Sequence, residues 1–151
     1  MPDATDNRPS VLYWVVAIAL LLWGLGGASI YVAYFIETPE EFALTAETAA
    51  NRDAYADYIA NMSFWALAIG MIAAVTRLLG AIALLLRRAW ALPLYILSLA
   101  FFIALLYRAF IAGKAASVMS GPHIAIEAVF LALGIFAVWF AYKKKSERIL
   151  K

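Results

Sequence analysis

The sequence predicts an all-α membrane protein in which four transmembrane helices form an up-down bundle. Of its 151 residues, 66% are hydrophobic and 15% are charged, whereas roughly a quarter of the residues in soluble domains are charged. The apolar residues fall into four runs: about 11–36, 62–86, 92–113 and 124–142. At about 1.5 Å per residue, each run is long enough to cross most or all of a hydrocarbon core of roughly 30 Å. The chain therefore has room for one transmembrane domain, 11–142.

The first run is predicted to be a retained helix that follows a short disordered tail, 1–10. A signal peptide is the alternative, because the small residues Gly26-Gly27-Ala28 follow an apolar stretch. The preceding segment is not basic, however, and the apolar sequence continues to Ile36, which favours a helix that stays. Small residues from Gly24 to Ser29 would let another helix approach closely, and a substrate path is the second interpretation of this patch. Four glycines are expected at helix contacts: Gly24, Gly27, Gly70 and Gly80.

The 37–61 connection is acidic and is predicted to contain a short amphipathic helix. Thr38-Pro39-Glu40-Glu41 combines an N-cap threonine, a proline at the first helical position and a glutamate three residues after the cap. Four side chains before the second run recur at helical spacing: Tyr55, Tyr58, Ile59 and Met62. They predict a segment that is continuous with the second span. The connection is either a structural lid over one end of the bundle or a ligand-binding loop.

The second run carries Arg77 well inside the predicted hydrocarbon region. A charge there costs roughly 2.5–3.5 kcal/mol on insertion scales, so the side chain should face protein or water. Its neighbours three and four positions away are small: Ala73, Ala74, Gly80 and Ala81. No acidic residue lies at matching depth, so Arg77 either snorkels or bonds to bundle carbonyls, or it contacts an anionic ligand.

A polar cluster is predicted near the ends of the third and fourth runs. Arg108 and Glu127 lie at similar depth on consecutive antiparallel helices, so they should form an ion pair. His123 lies one turn before Glu127 on the same helix face. The cluster is either a structural ion pair or a proton or ligand site. With two tyrosines of the first run and the buried arginine, the candidate ligand-binding residues are Arg77, Arg108, Glu127, His123, Tyr31 and Tyr34.

The composition excludes several kinds of site. The chain has no cysteine, so disulfides and thiolate metal sites are excluded, and its single histidine limits haem and zinc schemes. No motif indicates a catalytic residue, a metal or a cofactor, and we predict none. The polar cluster could perform proton chemistry. An enzyme is therefore the third functional hypothesis, after a transporter and a scaffold subunit.

The basic residues predict the orientation in the membrane. Eight lie on the side of both termini: Arg8, Arg87, Arg88, Lys143, Lys144, Lys145, Arg148 and Lys151. Only Arg52 and Lys114 lie on the other side. The positive-inside rule therefore predicts cytoplasmic termini and an outer 37–61 connection. The basic tail 143–151 is predicted to anchor the topology and to contact anionic lipid rather than nucleic acid.

The stretch Leu84–Leu99, LLLRRAWALPLYILSL, resembles a family of small bacterial four-span membrane proteins, some of which are labelled "sugar transporter". The likeness extends to Trp14–Gly27, the acidic connection and Trp139–Lys145. The plan with a tight basic second turn is also similar to the DoxX group, some of whose members are accessory subunits of quinone-linked oxidoreductases. Arg77 departs from the family pattern, in which a small or apolar residue is more usual.

The resemblance implies two alternative functions. The first is transport of a small, sugar-like solute, for which four helices enclose so little volume that a homo-oligomer is expected. The second is an accessory or scaffold subunit of a larger membrane complex, for which the likeness to the DoxX group suggests a link to quinone chemistry. The two differ in the expected partner, which is a second copy of the chain in the first case and another protein in the second.

Overall fold

The computed structural model describes residues 9–151, and this part of the chain contains helices and no strand. Six α-helices follow one another: α1 (Val11–Ile36), α2 (Pro39–Ala46), α3 (Arg52–Ala60), α4 (Phe64–Leu85), α5 (Ala91–Tyr107) and α6 (Gly121–Ser146). A π-helical segment (Arg108–Ala112) extends α5, and a 3-10 turn (Ala115–Ser117) precedes α6. The extended α5 and three other helices are long and apolar enough to cross a membrane. The predicted all-α four-helix membrane bundle is thus confirmed, whereas the 1–8 part of the predicted tail lies outside the described residues.

Three of the four long helices begin at a serine. The hydroxyls of Ser10, Ser63 and Ser120 each accept a hydrogen bond from the backbone N–H three residues later. Such caps satisfy N–H groups that would otherwise lack partners at the ends of apolar helices. The capping box of Thr38 and Glu41, predicted from the sequence, is present at the start of α2.

The 37–61 connection holds two short helices, α2 and α3, which together we call the lid. They pack on each other through a small apolar cluster that includes Phe42, Tyr55 and Ile59. The predicted continuity of this segment with the second span is wrong, because α3 ends at Ala60 and α4 begins at Phe64. The side-chain amide of Asn61 donates to the carbonyl of Asp57 at 2.8 Å, a local bond that accompanies the break.

Helix α4 packs closely against both α1 and α5, and α6 packs against α5. Small residues permit this approach: a Cβ added at Gly24 would lie 3.3 Å from the Cα of Leu78, and one at Gly80 would lie 3.3 Å from the ring of Tyr95. Gly27 and Gly70 are also at contacts, as predicted. Gly26 belongs to the same predicted patch but is exposed, with nothing within 4 Å of an added Cβ.

Helices α1 and α6 meet through aromatic rings rather than through closely packed backbones. The ring centroids of Tyr13 and Phe140 lie 5.9 Å apart, and those of Trp23 and Phe130 lie 6.2 Å apart. We call this line of contact the α1–α6 seam. It is the less tightly packed side of the bundle.

The lid marks one end of the bundle, which we call the lid end, and the α4–α5 turn marks the other, the tail end. At the tail end, α4 and α6 both terminate at an arginine in the left-handed conformation, Arg87 (φ 56°) and Arg148 (φ 57°). In each case the next amide bonds to the carbonyl five residues earlier, at 2.8 and 3.0 Å, which defines a Schellman motif. Glycine is the usual residue at this position.

The residues after α6 fold back onto the α4–α5 turn. Lys151 donates its N–H to the carbonyl of Arg87, and its own carbonyl accepts from the N–H of Ala89, both at 2.8 Å. Ile149 and Leu150 are buried in the apolar cluster that also contains Tyr13, Leu84 and Phe140. This cluster, which we call the tail-end plug, closes the bundle at that end.

Candidate functional site

A cavity of about 420 Å³ opens at the lid end, between the lid and the ends of α1, α5 and α6. Most of its lining is apolar. The main polar side chains that reach it are four tyrosines, a histidine and two glutamates: Tyr31, Tyr34, Tyr55, Tyr58, His123, Glu37 and Glu127. Within the part of the chain that the structure describes, no lysine or arginine lines it. We call it the lid cavity.

The tyrosines form two stacked pairs, one from α1 and one from α3. The rings of Tyr31 and Tyr34 lie 6.0 Å apart with an interplanar angle of 27°, and those of Tyr55 and Tyr58 lie 6.1 Å apart at 20°. Each pair is spaced by three residues, which places both rings on one face of a helix. Gly70 makes room for Tyr31, because a Cβ at that position would overlap with the tyrosine hydroxyl. The cavity therefore has aromatic walls on two sides.

Glu47 fixes the lid to the start of α6, although its side chain is 0% exposed. Its carboxylate accepts hydrogen bonds from the backbone N–H groups of Thr48 (3.0 Å) and Ser120 (3.1 Å), and from His123 Nδ1 (2.9 Å). Burial acts to raise the pKa of Glu47, but the hydrogen bonds from Ser120, Thr48 and His123 outweigh burial and lower the pKa to about 2. Glu47 is therefore an ionised, acceptor-only group at neutral pH.

His123 connects this buried carboxylate to the lid cavity. Because Glu47 accepts at Nδ1, that nitrogen carries the proton, and Nε2 points toward Glu127 at 3.9 Å. The ring of Tyr55 packs edge-on to the imidazole with centroids 5.0 Å apart. Burial raises the pKa of the Tyr55 hydroxyl, which stays protonated at neutral pH. The orientation of His123 is thus set by the lid.

Glu127 faces the cavity with 25% of its side chain exposed. Among the described residues, no lysine or arginine pairs with it, and the nearest basic side chain is His123, whose Nε2 lies 3.9 Å away. The described residues also contain no group of three acidic or imidazole side chains that could hold a metal ion. The Glu127 carboxylate is consequently available to a ligand.

Arg77 lies one layer below the cavity and does not line it. Its guanidinium carbon sits 4.2 Å from the ring centroid of Trp23, 5.3 Å from that of Phe102 and 6.0 Å from that of Phe130. The residue is 5% exposed and its Nε has no hydrogen-bond partner. Neither snorkelling nor bonding to bundle carbonyls describes this geometry, so both of those interpretations are wrong. The cation is held by aromatic faces instead.

The predicted ion pair between Arg108 and Glu127 is also wrong. Arg108 Nη2 donates to the hydroxyl of Ser63 at 2.7 Å and the side chain is exposed, so it lies at the start of α4 and away from α6. Helix α5 packs against both α4 and α6, and Arg108 lies on its α4 side rather than on the side toward α6. Arg108 lines an adjoining groove between the lid and α5, which shares five lining residues with the lid cavity: Tyr58, Met62, Ala66, Leu105 and Ala109.

The structure thus brings together Tyr31, Tyr34, His123 and Glu127 of the six candidates, and it separates Arg77 and Arg108 from them. Sequence reasoning missed the role of Glu47, which belongs to an acidic segment where nothing marks one carboxylate as buried. The spacing of Tyr55 and Tyr58 predicts only a helical segment before the second span, not a cavity wall. Their separation by three residues, matched by that of Tyr31 and Tyr34, is the signal that could have indicated an aromatic wall.

A scan against protein-family models, a search of curated proteins and a search of solved structures found no match to this chain. The resemblance to small four-span proteins and to the DoxX group therefore stays a prediction. The candidate function rests on the geometry of the lid cavity.

Proposed function

We propose that the protein is a multi-pass protein of a bacterial inner membrane that binds a small solute in the lid cavity and transports it as an oligomer. The observation that carries this proposal is the cavity itself: about 420 Å³, aromatic on two sides, with the carboxylate of Glu127 in its wall and no lysine or arginine paired with it among the described residues. Apolar clefts that contain a few convergent polar groups are the usual form of small-molecule sites. Unpaired ionisable residues within a membrane span are functional candidates by default.

The closed state of the tail end supports a transport cycle rather than an open channel. Below the cavity, Arg77 and its three aromatic neighbours fill the centre of the bundle, and the tail-end plug fills the remainder. A solute that enters from the lid end would therefore meet packed side chains and not an open pore. Passage to the other side requires a second conformation, and contacts within an oligomer would help to stabilise it.

The charge distribution supports an orientation with the lid outside. Arg87 and Arg88 lie at the same end of the bundle as the cations of 143–151, and this basic end is expected to face the cytoplasm. Single cysteines at Thr48 and Ser146, treated with an impermeant reagent in intact cells, test this orientation. Labelling at Thr48 and protection at Ser146 is the expected result, and the reverse pattern would overturn it.

Binding is tested with purified protein in mild detergent by thermal-shift screening of small solutes, followed by titration calorimetry. The variant Ala109→Phe places a bulky ring in the cavity wall and should abolish binding of any solute that stabilises the parent. Ala132→Phe is the matched control, because Ala132 is exposed on α6 and does not line the cavity. If both variants bind equally well, the lid cavity is not the site.

Reconstitution into proteoliposomes separates transport from the accessory-subunit alternative. A transporter should accumulate the bound solute inside the vesicles, and cross-linking should show more than one copy. If a solute binds in the cavity but is never taken up, and a second protein co-purifies from the native membrane, the chain is a subunit of a larger complex.

A further inference from the structure

We propose that the solute recognised by the lid cavity is an organic cation with an apolar body, such as a protonated or quaternary amine. This inference rests on the proposed binding function and names the class of ligand. The charge of the lining, the tyrosine rings and the position of the buried Arg77 support it.

The lining of the cavity is acidic. Glu37 and Glu127 reach it, and no lysine or arginine among the described residues does. His123 is its one basic side chain, and it is already engaged by the buried carboxylate of Glu47 at 2.9 Å. The lining thus contains two acidic side chains and one basic one, and the basic one already has an acidic partner in Glu47. An anionic solute would therefore meet like charge, and a cation would meet opposite charge.

The aromatic walls favour the same class. Rings attract cations placed over their faces within about 6 Å of the centroid, and this attraction strengthens where water is excluded. The two stacked tyrosine pairs approach the cavity from α1 and α3, and Phe42 packs on Tyr34 with centroids 4.3 Å apart. A carboxylate together with several rings is the chemistry that recognises amines and quaternary ammonium groups. The apolar part of the lining accommodates the rest of the molecule.

The buried Arg77 does not line the cavity. The guanidinium is almost fully buried among Trp23, Phe102 and Phe130, and it lies behind the cavity lining rather than in it. This cage also shows that aromatic rings can hold a cation within this bundle without an ion pair. The lid cavity repeats that arrangement with an added carboxylate and with space for a ligand.

A sugar fits the lining less well. Each sugar hydroxyl needs a hydrogen-bond partner when it leaves water, and an unpaired one costs free energy. Much of the cavity wall consists of leucine, isoleucine, methionine, alanine and phenylalanine side chains, which offer none. An apolar amine needs only one charged partner, and Glu127 supplies it.

The test is calorimetric titration of the purified full-length protein with benzyltrimethylammonium, glucose and phenylacetate. Benzyltrimethylammonium is expected to bind with an affinity at least tenfold higher than the other two. Glu127→Gln, which keeps the shape of the side chain and removes its charge, should weaken binding of the cation at least tenfold. Glu40→Gln, which alters an exposed acid of the lid outside the cavity, should leave the affinity unchanged.

The outcomes separate the ligand class from the function. If glucose or phenylacetate binds more tightly than the cation, and Ala109→Phe abolishes that binding, the cavity is a solute site of a different class and this inference fails alone. If the cation binds but Glu127→Gln has no effect, the proposed recognition is wrong. If none of the three probes binds and wider solute screening also finds no ligand of the cavity, both proposals fail.

Discussion

His123 Nδ1 lies 2.9 Å from the buried carboxylate of Glu47, and this contact joins the lid to the first turn of α6. The two residues are 76 positions apart in the chain. The same carboxylate accepts from the backbone of Ser120, so one side chain holds the lid, the loop before α6 and a wall of the cavity in fixed relation. Asn51 adds a second tie, because its side-chain amide donates to the carbonyl of Val118 at 3.0 Å.

Glu47→Gln should destabilise the lid. The amide cannot accept from all its present donors, and a buried donor left without a partner costs about 1–3 kcal/mol. We expect a lower Tm in detergent and faster hydrogen exchange in α2 and α3. Glu40→Gln is the control, since this exposed carboxylate has none of these bonds, and its effect should be under about 0.5 kcal/mol. Equal Tm values for the two variants would show that Glu47 does not hold the lid.

The contribution of Glu47 should depend on pH in a defined window. The pKa of Glu47 in the folded protein is about 2, below its ordinary value of 4.5. A lowered pKa contributes about 3 kcal/mol to the free energy of unfolding. This contribution is fully present above about pH 4.5 and is lost as the pH falls toward 2. The difference in Tm between the parent and Glu47→Gln should therefore shrink across this range. A constant difference from pH 7 to pH 2 would contradict the assignment.

Gly70→Ala should be destabilising, whereas Gly26→Ala should not. A Cβ at Gly70 would overlap with the side chain of Tyr31, and overpacking of this kind costs about 1–3 kcal/mol. A Cβ at Gly26 meets nothing within 4 Å, and alanine favours a helix by up to about 1 kcal/mol. Thermal unfolding in detergent measures both variants. Adding Tyr31→Phe to Gly70→Ala should recover part of the loss, because the hydroxyl is the closest group.

Arg77 is expected to respond in opposite directions to two substitutions. Among the described residues, no acidic side chain forms an ion pair with this buried charge. Burial of the charge costs roughly 2.5–3.5 kcal/mol, and cation–π contacts of about 2 kcal/mol offset only part of that cost. Arg77→Met should therefore raise the free energy of unfolding by about 1 kcal/mol, as other apolar replacements of buried charges do. Arg77→Lys should lower it, because a lysine lacks the planar guanidinium that packs on Trp23. A large loss of stability in Arg77→Met would mean that a bound anion or lipid normally pairs with the arginine.

A double-mutant cycle of Arg108→Met and Glu127→Gln should show almost no coupling. The two side chains do not meet, and independent sites add within about 0.5 kcal/mol. The cycle of Glu47→Gln with His123→Gln is the positive control, and its coupling energy should be between about 0.5 and 3 kcal/mol. Coupling energies of similar size in both cycles would show that Arg108 and Glu127 do form the ion pair that the sequence predicts.

The transmembrane helices could be predicted because each depends on a local property. Hydropathy fixes the four spans to within a few residues, and the capping box at Thr38 depends on side chains three positions apart. Glu47 could not be found in this way, since its burial depends on a loop 73 positions further along the chain. The break before α4 was missed because Ser63 acts as a cap, a role that competes with a continuous helical pattern.

Arg108 shows why the depth of a residue is a poor guide to its partner. Counting residues along the third span assumes an α-helix throughout, and on that assumption Arg108 faces Glu127. The side chain instead lies on the α4 side of the helix, where it bonds to Ser63, and depth along the span does not specify which side a residue faces. Arg77 is the opposite case, since its burial was expected from its position, but its aromatic partners come from three other helices.

The α1–α6 seam bears on how a ligand would reach the lid cavity. Ile30 on α1 and Ile126 on α6 both line the cavity and are exposed on the side of the bundle that lipid would cover. An amphiphile dissolved among the acyl chains would thus meet the cavity sideways, without passing through water or displacing the lid. Its affinity measured in vesicles would then scale with its concentration in the bilayer, so the lipid-to-protein ratio would act as a variable of the binding equilibrium.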